Sequence, residues 1–166
     1  MSVFGGASRP SYVLRKALTA IVAGLLVAAV GCGESEGVAE DATVAAYVEA
    51  PLCAGAKQEL LKSGSRAGSL NVKAVCLPSA TEGRKLDLAI LGANARRATE
   101  DSTAVAFLEA PNPQAARFTH PILETAEIPW LISSSGKAAM ANLLKLIEAE
   151  GSGSLRSSLQ DKLNES

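Results

Sequence analysis

Few side chains in this 166-residue chain can do chemistry, and their spacing limits what that chemistry is. There are three cysteines, Cys32, Cys53 and Cys76, and one histidine, His120. No Cys/His/Asp cluster surrounds His120 in sequence, so neither a metal site nor a general base is expected there. The plainer reading is a partly exposed helix residue. Glu49 and Glu109 each end an apolar run that reads as a strand. Two such carboxylates can form an acid/base couple when their surroundings push their pKa values apart. A role facing a cation or solvent is simpler and is preferred. Ser133, Ser134 and Ser135 lack the G-x-S-x-G elbow that presents a nucleophile. They suit the start of a helix, where serine caps exposed N–H groups. The sequence therefore assigns no catalytic residue, no metal ligand and no cofactor, and no enzymatic activity is expected.

Cys32 has a different context. The segment before Ala17 carries Arg9, Arg15 and Lys16 and no acidic residue. An unbroken run of apolar and small residues follows, from Ala17 to Gly31. It is shorter than the ~20 residues a spanning helix needs. A basic region, an apolar region and small residues at a cut are the anatomy of a secretory signal. Ala29-Val30-Gly31-Cys32 resembles the lipobox of bacterial lipoproteins, in which the cysteine is lipidated and becomes the new N-terminus. Ala29 departs from the leucine more usual there. The resemblance implies a signal peptide over 1–31 and a lipid anchor on Cys32. It also implies an exported location, on the outer face of the cell membrane or in the periplasm. A single acyl chain anchors a protein only marginally, and the diacylglyceryl group of bacterial lipoproteins meets that need. Ordinary cleavage nearby and an uncleaved anchor are the alternatives.

Residues 33–41 (GESEGVAED) are acidic and small, so 32–42 reads as a flexible tether. Residues 43–150 amount to one domain. Residues 151–154 (GSGS) read as a linker, and 155–166 as a polar tail able to form one short helix. A formal net charge of −1 gives no steering toward nucleic acid. Aromatics make up 4% of the chain, too few for platforms on which bases or sugars stack.

The residues between tether and linker alternate strand and helix. Strands are expected at Thr43 to Ala50 (ended by Pro51), Asn71 to Leu77, Ala104 to Leu108 and Trp130 to Ser133. Helices are expected at Ala54 to Lys62, Leu86 to Asp101, Gln114 to Ala126 and Gly136 to Glu150, from apolar spacings of three and four. Pro121 should bend or start the third helix. Four successive βα units imply an α/β fold, a three-layer αβα sandwich around a four-stranded parallel sheet. The order 2-1-3-4 is expected, with a topological switch point between the first and third strands. That order brings the ends of the first two strands together, and with them Cys53 and Cys76. In an oxidising compartment a Cys53–Cys76 disulfide is therefore expected.

From Thr43 to Glu150 the chain resembles the first lobe of type 1 periplasmic solute-binding proteins. The likeness is to the leucine and branched-chain amino-acid binding group of ABC importers. It is carried by residues 86–110 (LDLAILGANARRATEDSTAVAFLEA), by 121–130 (PILETAEIPW) and by 131–136 (LISSSG). The resemblance implies a flavodoxin-like lobe whose strand-end loops hold the carboxylate and ammonium of an amino acid. On this sequence those ligand-binding positions are Asn112, Ser134, Ser135 and Gly136. Glu109 stands where the family has glycine, and Pro111 and Pro113 flank the position of a serine donor. Two functions fit. One is a solute-binding component of a branched-chain amino-acid-type ABC importer, complete or truncated, partnered by a permease and by a second lobe or protomer. The other is a one-lobe interaction or sensory module at the envelope that binds no solute. Because the chain stops after its fourth βα unit, weak binding of leucine-like amino acids is expected. One wall cannot bury the roughly 70–90% of a ligand that good pockets enclose.

Membrane-extracted protein should have lost residues 1–31 and gained lipid mass on Cys32. Intact-mass spectrometry checks this, and a mature N-terminus at any other residue refutes the anchor.

Overall fold

The computed structural model describes residues 41–83 and 85–150. The expected signal segment, Cys32, most of the tether and the C-terminal tail lie outside the described residues. The chain runs β1 (Thr43–Val48), α1 (Ala50–Lys62), β2 (Arg66–Ala67), β3 (Leu70–Cys76), β4 (Thr81–Glu82) and β5 (Lys85–Leu86). It continues α2 (Leu88–Thr99), β6 (Ala104–Glu109), α3 (Pro113–Thr125), β7 (Trp130–Ile132) and α4 (Gly136–Glu150). This is an α/β fold with a five-stranded, mostly parallel sheet in the order β2-β3-β1-β6-β7. The expected four-strand order 2-1-3-4 is corrected by the fifth strand. Residues 66 and 67, read from sequence as loop, turn back at Gly68 and pair antiparallel with Leu70 and Asn71. A two-residue strand has no period to detect. The separate β4–β5 hairpin escaped notice for the same reason.

The helix starts follow local chemistry. α1 begins at Ala50, ahead of the expected Ala54, with Pro51 in its first turn. Proline fits there because that N–H has no helical partner to lose. Asp87 caps α2 by accepting from Ala89 N at 2.9 Å and Ile90 N at 3.1 Å. Asn112 caps α3 by accepting from Gln114 N at 3.1 Å and Ala115 N at 3.2 Å. α3 continues through Pro121 and does not start there.

β1 is buried from Val44 to Val48, as a central strand covered on both faces must be. Val44, Ala46 and Val48 pack with Leu52, Ala56 and Leu60 of α1 and with Met140, Leu143 and Ile147 of α4. Ala45 and Tyr47 pack on the opposite face with Ala95 and Ala98 of α2 and Leu123 of α3. The ladder between β1 and β6 is irregular at one point. Ala45 pairs with Ala104 but Ala46 pairs with Ala106, so β6 carries an extra residue at Val105. Side chains alternate faces along a strand, and one inserted residue reverses the facing of everything after it. Val105 and Ala106 therefore both join the α1/α4 cluster, while Phe107 returns to the α2/α3 side. Glu109, two residues on, faces α3 as well.

Cys53 and Cys76 are joined by a disulfide, with Cα atoms 5.6 Å apart. It ties the first turn of α1 to the end of β3. In the chain-entropy view such a loop contributes about 3 kcal/mol. α1 and α4 meet at two glycines. A Cβ on Gly55 would lie 3.0 Å from Lys137 N, and one on Gly136 would overlap the carbonyl oxygen of Leu52. No described helix is long and apolar enough to cross a membrane.

Gly136→Ala should therefore force the two helices apart and cost about 2 kcal/mol or more, toward the upper part of the overpacking range. Urea unfolding measures this, and an unchanged midpoint would show that the contact has room for a methyl group.

Candidate functional site

The carboxyl ends of β1, β3 and β6 open into a cleft of about 50 Å³. Glu49, Ala50 and Pro51 form one side, Pro78 to Thr81 another, and Ala110 and Asn112 a third. Leu86 and Leu91 close it beneath the β4–β5 hairpin. The cleft sits between β1 and β6, where the chain changes direction across the sheet. Ligands of open α/β sheets bind at such switch points. The β3–β4 wall is held by Asn94 of α2, buried, whose Nδ2 donates to Pro78 O at 3.0 Å.

Glu49 occupies the mouth. Its backbone N–H donates to Leu108 O at 3.0 Å, and its side-chain Oε2 accepts from Ala110 N at 2.8 Å. Burial raises the Glu49 carboxyl, the Ala110 N–H opposes this, and the charge of Glu109 raises it further, to about 6.

Glu109 departs from its expected role of facing solvent or a cation. It is fully buried. Thr119 Oγ1 donates to its Oε1 at 3.1 Å, and His120 Nε2 lies 2.7 Å from its Oε2. An unpaired buried carboxylate is costly, so these two α3 residues are what make the position tolerable. His120 in turn stacks on Trp130, ring centroids 4.3 Å apart and planes 23° apart. His120 is the partly exposed helix residue the sequence implies, and it also belongs to a side-chain network that the sequence does not show. Glu109, Thr119, His120 and Trp130 join β6, α3 and β7, and the charge of Glu109 acts on Glu49 just past the end of β1. Spacing along the chain gives no signal for this arrangement beyond the adjacency of the first and third strands.

The residues expected to bind ligand divide between two places. Asn112 reaches the cleft, but its Oδ1 is used in capping α3. Ser134, Ser135 and Gly136 are not among the cleft walls. Ser135 Oγ accepts from Ala138 N at 3.4 Å, and Ser133 Oγ bonds the backbone of Ser135, which is helix-start chemistry. Ser134 is exposed, and Gly136 is buried against α1. Among the described residues no three His, Cys, Asp or Glu side chains are placed to hold a metal. Comparison with protein-family models, curated proteins and solved structures finds no match.

Between pH 4.5 and 6 the folded chain keeps a proton on Glu49 that the unfolded chain releases. Stability should therefore fall as pH rises through this window. Glu49→Gln removes that loss. Its advantage over the parent should grow by about 1 kcal/mol from pH 4 to pH 7.5, after discounting for partial exposure. Denaturant melts of both chains across that range test this, and a constant difference refutes it.

Proposed function

We propose that this chain supplies one wall of a solute site, as an exported, lipid-anchored lobe of the type 1 periplasmic-binding-protein kind. On this reading the three-layer lobe is flavodoxin-like, and it serves a branched-chain amino-acid-type ABC importer. The observation that carries the reading is the cleft at the switch point between β1 and β6. Its volume decides how it works. About 50 Å³ is well below the ~300 Å³ or more of pockets that enclose a small molecule. A second wall, from a permease, another lobe or a second protomer, has to complete the site. The same small volume favours the second reading, an envelope interaction module that binds no solute.

Titrating leucine into isotope-labelled full-length chain separates the two. Amide shifts confined to the cleft, saturating in the millimolar range, are expected for one wall. No shift at the cleft up to tens of millimolar leaves only the interaction module. A micromolar site on the monomer contradicts the need for a second wall.

A further inference from the structure

The cleft has a sign. Glu49 is the charged group on its walls, and no Lys, Arg or His stands among the described residues that line it. Behind Glu49 lies a second carboxyl, Glu109, whose partners Thr119 and His120 are on the α3 side. An anion would need several N–H or O–H donors aimed at it. The donors here are largely committed to the protein itself. Ala110 N–H serves Glu49, and the first free N–H groups of α3 serve Asn112 Oδ1. Ser79 Oγ donates to Thr81 O at 3.0 Å. Pro51 and Pro78 have no N–H to give. A space of about 50 Å³ is small beside the ~300 Å³ or more of pockets that enclose a whole ligand, so it suits a head group.

We infer that the cleft takes the ammonium group of a small primary monoamine, with Glu49 as its anionic anchor. This deepens the solute-binding reading by naming the end of the solute that the lobe holds, and it rests on that reading. The body of the amine has a place to lie. An open groove of about 360 Å³ shares Leu86 with the cleft and is lined further by Leu88, Phe118, Gln114 and Arg117. Leu88 and Phe118 are 46% and 48% exposed. They suit an apolar substituent. Arg117 on the same groove repels a second cation, so a monoamine is favoured over a diamine.

The test uses folded full-length protein at pH 7.5 and follows amide shifts during titration with four probes: 3-methylbutylamine, its carboxylate counterpart 3-methylbutanoate, 1,5-diaminopentane and leucine. The monoamine should shift cleft and groove amides with a millimolar dissociation constant. The carboxylate should not, and the diamine should bind more weakly than the monoamine. Glu49→Gln should weaken the monoamine about tenfold or more, as loss of a charge-assisted contact does. Glu49→Asp, which keeps the charge, should restore part of the binding. Amide dispersion confirms that each variant is folded. Monoamine binding that is absent, or unchanged in Glu49→Gln, overturns the inference, as does preferential binding of the carboxylate. Leucine shifting the cleft while the monoamine does not would sink the amine anchor and leave the solute-binding reading standing. The reverse outcome would keep the anchor and remove the amino acid.

Discussion

A carboxylate that is shut away from water must be answered by donors, and Glu109 imposes that requirement on the centre of this fold. It ends the strand beside β1 and has no exposed surface. The extra residue at Val105 is what turns it toward α3. With regular alternation Glu109 would enter the apolar cluster between the sheet and α1/α4, where Leu52, Ala56 and Met140 offer no hydrogen bond. On the α3 side it meets Thr119 and His120, consecutive residues of one helical turn. The hydrogen bonds fix how α3 rotates and how far along β6 it sits. Trp130 then packs on the imidazole and brings β7 into the same unit.

The cleft inherits its geometry from that arrangement. Asn112 starts α3 immediately after the strand end, so placing α3 also places one cleft wall. Ala110 N–H, held just past Glu109, reaches across to Glu49 and holds that carboxylate at the mouth. Two acidic groups on adjacent strand ends give the site its negative character, and the raised titration of Glu49 follows from burial first and from Glu109 second. The opposite wall is fixed by the Cys53–Cys76 bridge and by Asn94 on Pro78. A rigid but small opening results, which suits a head group and not a whole solute.

Much of this was legible in the chain. Helical stripes and short apolar runs located four strands and the four helices of the described residues, because each is long enough to show its period. The adjacency of the first two strands placed Cys53 beside Cys76. What escaped was either too short or hidden by uniform chemistry. The paired residues 66–67 and the hairpin at 81–86 have no period. The irregularity in AVAFLE cannot be seen, since alternate facing leaves no mark where nearly every residue is apolar. Without it, Glu109 at the end of a strand reads as a solvent-facing group. The pairing of His120 with Glu109 and Trp130 is tertiary, and no local pattern encodes it. Asn112 was legible as a polar residue at a strand mouth. Ser134, Ser135 and Gly136 stand at the start of α4, apart from the cleft, because Gly136 is needed where α4 crosses α1.

The claim that Glu109 and His120 act as one unit is open to a double-mutant cycle in stability. Glu109→Ala, His120→Ala and the double variant would be compared with the parent by urea unfolding at pH 7. Removing His120 alone should cost about 3–5 kcal/mol, because it strands a buried charge. Removing both should cost at least 1 kcal/mol less than the sum of the single losses, as residues in contact do. Single losses that add to within about 0.5 kcal/mol would contradict the account, since the carboxylate would then not depend on the imidazole.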